Sequence, residues 1–163
     1  MIREVLRMGD GRLLRRAQPV EAFGTPALAA LIEDMRDTMR HLTGAGLAAP
    51  QIGVDLRVVI FGGGPSPRYP DASVVPDTVL INPVLTPLVD EEEGGWEGCL
   101  SVPDLWHPAL RYPFARVVGI DLDGAEIELS GEGLMAQALQ HETDHLDGML
   151  YLERLSPEQR RIA

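Results

Sequence analysis

Lysine is absent from this chain of 163 residues; all fourteen basic side chains are arginine. That removes Schiff-base chemistry on a lysine and the phosphate loop whose lysine reaches a nucleotide, because both need the ammonium group. Cysteine occurs once, at Cys99, so no internal disulfide can form. Cys99 is left as a buried apolar filler, a nucleophile or a metal ligand, and its surroundings must decide. Basic charge is in the minority: twenty-five acids against fourteen bases leave a net −11. That balance argues against a broad basic face for phosphate backbones, and no direct nucleic-acid binding is expected. Long hydrophobic runs are missing as well. Val58-Val59-Ile60-Phe61 is among the longest, far short of the roughly twenty residues that span a bilayer. Met1-Ile2-Arg3-Glu4 leads into mixed charged sequence with no apolar signal core, so the expectation is a cytoplasmic, non-membrane protein. No internal repeat or sustained heptad is present.

What is there suits one soluble globular domain, 1–163, with 45% apolar and 24% charged residues. The first 23 residues read as irregular, with a short helix around Gly11 to Arg16. A helix is expected from Thr25 to Leu42. Thr25 suits the N-cap and Pro26 the first turn, while Leu28, Leu31, Ile32, Met35, Met39 and Leu42 form an apolar stripe. Gly44 is expected to end it. Strands are expected over Leu56 to Phe61 and Thr78 to Leu85, joined by a long Gly- and Pro-rich loop over 62–77. Asp90 to Glu93 reads as a solvated loop tip, with Cys99 at a strand end further on. A hairpin is expected from Arg116 to Leu122 and Glu126 to Leu129, turning at Asp123-Gly124. A second helix runs from Gly133 to Leu146, closed by Gly148. The fold class is α+β, with mixed or antiparallel sheets packed around the C-terminal helix and an amphipathic helix near the N-terminus.

That C-terminal helix carries His141-Glu142-Thr143-Asp144-His145. Residues i and i+4 stand one turn apart on one face, so both imidazoles can share one ion, and Glu142 can reach a water beside it. The pattern arises by chance in roughly 1% of chains of this composition, which makes it a fairly specific signal against an ordinary surface helix. A catalytic ion usually takes three protein ligands. Downstream, Glu153 and Glu158 are poorly placed, and Tyr151 stands where an extended zinc protease has its third histidine. The third ligand is therefore expected upstream, and Cys99 is the only soft candidate there. The rival, a Cys–His nucleophile pair using His107 or His41, leaves the helix pair unexplained.

Three segments together resemble the peptide deformylase family: Gly44-Ala45-Gly46-Leu47-Ala48-Ala49-Pro50-Gln51, Glu97-Gly98-Cys99-Leu100-Ser101, and Gln140-His141-Glu142-Thr143-Asp144-His145-Leu146. They follow in the family's order and the likeness extends over nearly the whole chain. The resemblance implies removal of the formyl group from N-formyl-methionyl nascent polypeptides, with release of formate. It implies that Cys99, His141 and His145 hold one divalent metal, natively Fe²⁺ in many members, with Zn²⁺, Ni²⁺ or Co²⁺ as substitutes. Glu142 would be general acid and base, and Gln51 with the backbone N–H of Leu100 would stabilise the oxyanion. Gly46 would let the backbone approach substrate. Leu134 and Ala138, with His141, would line a methionine pocket, Gln137 lying nearby and Arg111 touching substrate backbone. Asp104 and the 62–77 loop depart from the common pattern and bear on preference beyond methionine. A long C-terminal helix of the kind some relatives dock on ribosomes is not seen, and any ribosome contact is expected to be transient; Arg154, Arg160 and Arg161 make a small basic end suited to a helix C-terminus. Two other readings stand beside this one: an HExxH metallopeptidase, which would cleave peptide bonds without releasing formate, and an inactive deformylase-like binding protein, which would lack a ligand or the base.

Overall fold

The computed structural model describes residues 1–62 and 77–155, except the side chains of Asp104, Leu105 and Leu134. Most of the 62–77 loop, the side chains of Asp104 and Leu134, and Glu158, Arg160 and Arg161 thus lie outside the described residues. Two helices, α1 (Pro26–His41) and α2 (Gly133–Leu146), accompany seven strands: β1 (Gly46–Ala48), β2 (Val58–Phe61), β3 (Thr78–Pro87), β4 (Glu93–Cys99), β5 (Val102–Arg111), β6 (Phe114–Ile120) and β7 (Glu126–Glu132). Five of them form an antiparallel sheet in the order β1-β2-β3-β6-β7, and β4 and β5 form a separate antiparallel ribbon.

The apolar run of β2 shows why the sheet sits where it does. Successive side chains of a strand point to opposite faces, so a strand buried at every position must be covered on both. Val58 and Ile60 join Leu47, Val79 and Ile81 against α1 through Leu28, Leu31, Ile32, Met35 and Met39. Val59 and Phe61 join Ala48, Leu80 and Val117 against α2 through Leu139 and Leu146. The sheet is the filling between two helices. Its β7 edge alternates exposed Glu126, Glu128 and Glu132 with half-buried residues, and charge there discourages pairing with another chain.

Both helices follow their local chemistry. Thr25 Oγ1 accepts from the Leu28 amide at 3.1 Å and Pro26 opens α1. Both end in the same motif of crossed backbone bonds. After α1, Thr43 N–H donates to Arg40 O and Gly44 N–H to Met39 O; after α2, Gly148 N–H donates to His145 O and Met149 N–H to Asp144 O. Gly148 takes the left-handed position as expected, at φ 76°. At α1 that position falls one residue early, on Thr43 at φ 53°, and Gly44 follows it. At position 44 a Cβ would lie 2.8 Å from Leu100 Cδ1, so the glycine lets that side chain pack close. A β-branched residue thus takes the left-handed turn position, and the glycine after it faces Leu100.

The β4–β5 ribbon departs most from expectation. Its strands run through a segment that reads as loop tip and motif, and Glu93, assigned to the acidic tip, opens β4. Gly94, Gly95, Gly98, Pro103 and Pro108 dilute any strand pattern. Pairing is imposed from outside: Cys99, Val102 and Ala109 pack on Leu150, Tyr151 and Leu155.

Candidate metal centre and active site

Along β4, Glu97 and Cys99 are two residues apart and share the inward face, while Trp96 between Gly95 and Glu97 points out and is 57% exposed. The ribbon turns in two residues, Leu100-Ser101, between the paired Cys99 and Val102. Leu100 therefore occupies the first corner of the turn, directly after the sulfur.

Helix α2 meets that face with His141 and His145, whose ring centroids lie 5.1 Å apart. Among the described residues, one ligand atom each of Cys99, His141 and His145 falls within a 4.8 Å cluster. Cys99 Sγ stands 3.4 Å from His145 Nε2. Two ligands at ordinary Zn–S and Zn–N bond lengths and a tetrahedral angle would be about 3.5 Å apart, so the Cys99–His145 pair stands at the separation of two ligands on one four-coordinate ion. His141 Nδ1 is taken by Glu97 Oε1 at 2.7 Å, which leaves Nε2 as the nitrogen for the shared space. A carboxylate behind a ligating imidazole fixes its ring and tautomer.

Glu97 is itself held. Arg111 donates Nε and Nη2 to its two oxygens at 2.8 and 2.9 Å and Nη1 to Asp144 Oδ2. Arg154 forks onto Asp144 from the other side at 2.9 and 3.0 Å. Burial pushes the Glu97 carboxyl up, but His141 and Arg111 outweigh it and hold its pKa at about 2. Buried charge is tolerable here because every charge has a fork-shaped or opposing partner. This network also corrects two expectations. Arg111 is buried and fully engaged with two carboxylates, so it is not a substrate-facing arm, and Arg154 binds a side chain of α2 where a helix C-terminus was expected.

Gln51, at the end of a 3-10 turn over Ala49–Ile52, reaches the same place. Its Oε1 accepts from Ala48 N at 2.9 Å; its Nε2 donates to Ser101 Oγ at 3.0 Å and Cys99 Sγ at 3.6 Å. Glu142 is buried, and its Oε1 has no hydrogen-bond partner among the described residues. Gly46 on β1 borders it so closely that a Cβ there would stand 2.5 Å from Glu142 Oε2. Ala138 is half-buried one turn before His141. Gln137 Nε2 donates to Trp96 O at 2.7 Å and so clasps α2 to β4.

The electrostatics of the cluster favour a thiolate beside a charged imidazole, and an ion binding there would release the imidazole proton. Burial pushes the Cys99 thiol up, yet the two histidines bring it well below the usual thiol range. Burial lowers His141, but its bonds to Cys99 and Glu97 lift it well above an ordinary imidazole. Glu142 moves up, chiefly through burial, toward the range useful for exchanging protons.

Residues 2–161 match the family described as polypeptide deformylase. The chain belongs to the polypeptide deformylase family. It is 59% identical over 155 residues to peptide deformylase 2 of Ralstonia nicotianae, covering 95% of this chain and 88% of that one. It is 57% identical to peptide deformylase 1 of Nitrosomonas europaea, covering 96% and 89%. Its backbone is similar to the crystal structure of a class I type b peptide deformylase from Acinetobacter baumannii, with a TM-score of 0.91 and 37% identity over 96% and 99% of the two chains.

Within this family fold, sequence reasoning passed over three residues. Glu97, Asp144 and Ser101 lie inside the three family-like segments, yet the sequence assigned them no role. For Glu97 the one signal, its i, i+2 spacing from Cys99, becomes readable only once β4 is known to be a strand, and the pairing register shifts between the two residues. Asp144 and Ser101 carried none, because their partners Arg111, Arg154 and Gln51 lie 10 to 50 residues away in sequence.

Proposed function

We propose that Cys99, His141 and His145 hold one divalent ion, and that Glu142 is the acid–base group with which the chain performs its family's reaction. That reaction is the removal of the N-formyl group from nascent peptides, supported by near full-length relatives at 57–59% identity. The whole of 1–163 acts as one catalytic domain, in the cytoplasm, on formyl-methionyl chains. Among the described residues no helix is long and apolar enough to cross a membrane.

When bound, the ion lowers the pKa of water toward about 7 and polarises the formyl carbonyl. Glu142 accepts a proton from the attacking water through its unpartnered, buried Oε1. Its raised pKa lets it return that proton to the amine nitrogen as the C–N bond breaks, so formate leaves from one side and the free amino group from the other. Gln51 N–H and Leu100 N–H donate to the oxygen that becomes negative, and one such donor is typically worth about 3 kcal/mol. The long 3.6 Å contact of Gln51 with sulfur is easily exchanged for that oxygen. Leu134 and Ala138, with Gln137 beside them, receive the methionine side chain. Fe²⁺ is the native ion in this reading, with Zn²⁺, Ni²⁺ or Co²⁺ able to replace it. A single thiolate ligand makes the iron form sensitive to oxidation.

The observation that carries this reading is the convergence of a three-donor cluster with a buried carboxylate whose Oε1 no described residue bonds. Formate release from a short formyl-methionyl peptide by anaerobically prepared, Fe²⁺-loaded protein tests it, with the unformylated peptide alongside. Formate with the peptide chain intact is expected. Cleavage of the unformylated chain without formate would turn the assignment to a metallopeptidase.

A further inference from the structure

Gln51 has one amide nitrogen and two N–H bonds, and the structure gives both a destination. The orientation of the amide is set by its other end: Ala48 N can only donate, so Oε1 must face it and the NH₂ must face the opposite way. On that side Ser101 Oγ takes one N–H at 3.0 Å, and the second lies toward Cys99 Sγ at 3.6 Å. All three side chains are buried, so no solvent competes for the amide. The carbonyl of Ser101 is tied as well, accepting from Met8 N at 2.8 Å. The hydroxyl is thus presented from a fixed backbone, at the second corner of the turn that carries the sulfur.

We propose that Ser101 is a positioning residue that divides the two N–H groups of Gln51. By holding one N–H, it keeps the other directed into the space shared by Cys99, His141 and His145. Before substrate arrives that second N–H bonds the Cys99 sulfur. During the reaction the same N–H is already aimed where negative charge grows on the formyl oxygen. A donor pre-aimed in a dry site adds no reorganisation to the chemical step, so the effect belongs in kcat and not in substrate binding. An N–H on the sulfur also draws electron density from the ligand, which alters the thiolate-to-metal transition of a cobalt-substituted site.

The inference rests on the assignment of Cys99 as a ligand, and the test separates the two. Wild type, Ser101→Ala, Ser101→Thr, Gln51→Ala and the double variant Ser101→Ala with Gln51→Ala are loaded with Co²⁺. Absorption spectra and formate release from a formyl-methionyl peptide are then recorded. In wild type a thiolate-to-cobalt band is expected; without one the ligand assignment falls, and this inference with it. With the band present, Ser101→Ala should shift it and lower kcat roughly three- to tenfold, the range for one lost hydrogen bond, with KM within about twofold. Ser101→Thr, which keeps the hydroxyl, should return both toward wild type. In the Gln51→Ala background, Ser101→Ala should cost nothing further. An unshifted band with unchanged kcat in Ser101→Ala overturns the proposal. So do losses that simply add in the double variant, because they would give Ser101 a role independent of Gln51.

Discussion

Helix α1 buries Leu28, Leu31, Ile32, Met35 and Met39 in one stripe, with Thr38 its one buried polar side chain, whereas α2 buries Leu139 and Leu146 beside Gln140, Glu142, Thr143, Asp144 and His145. The two helices flank the same sheet and close with the same crossed backbone bonds. What separates them is the kind of interaction each must satisfy. The stripe of α1 needs only apolar area and matching volume, which are non-directional. The polar face of α2 needs a named partner for each group: Glu97 for His141, Arg111 and Arg154 for Asp144, Tyr112 for Gln140. Two buried atoms of α2 have no hydrogen-bond partner among the described residues, Glu142 Oε1 and His145 Nδ1, and both belong to residues of the candidate site.

The comparison can be broken most severely at Glu142. Glu142→Gln preserves volume and removes the exchangeable proton, so turnover should fall by about 10²–10⁴-fold. Metal content, read by atomic absorption, should stay at wild-type level. Full activity with a full metal complement would remove Glu142 from the mechanism. On α1 the counterpart is Met35→Ala, at a site with no exposed surface. It should lower unfolding free energy by about 2–5 kcal/mol in urea titrations. Activity per folded molecule should be unchanged; a parallel collapse of kcat would show that α1 is not merely a scaffold.

Acid should distinguish the two sides next. Glu97 has a folded-state pKa of about 2 against an ordinary 4.5, so its stabilisation is complete above about pH 4.5 and lost as pH falls toward 2. The shift corresponds to roughly 3 kcal/mol at most. Hydrogen exchange between pH 4.5 and 2 should therefore show protection of α2 and β4 declining ahead of α1; simultaneous loss would contradict it. The smallest effect is expected at Gly46→Ala. The new Cβ would stand 2.5 Å from Glu142 Oε2, so the carboxylate must move by about 1 Å to reach ordinary contact, and kcat should fall at least about tenfold. The melting temperature should fall modestly, because Glu142 is buried and its Cδ and Cγ are pressed as well. Wild-type kcat in that variant would mean that Glu142 does not depend on β1 for its position.

Much of this was visible in the chain of residues. The bounds of both helices, the apolar stripe of α1, the strand through Val58–Phe61 and the hairpin through Asp123-Gly124 are local signals, repeated at short spacing. His141 and His145 belong to the same class, because one helical turn is enough to pair them. The β4–β5 ribbon was not visible. Its glycines and prolines carry no strand pattern, and its pairing depends on a C-terminal segment that packs beneath it.

Sequence alone determined what α2 brings to the site: two imidazoles and a carboxylate on known faces of a helix, plus a single sulfur to join them. Only the tertiary structure decided that Cys99 reaches His145, that Glu97 backs His141, and that Arg111 is turned inward to two carboxylates. Periodicity encodes contacts between residues a few positions apart. Contacts across 14 to 50 positions depend on how sheet, ribbon and helix pack, and no spacing records that.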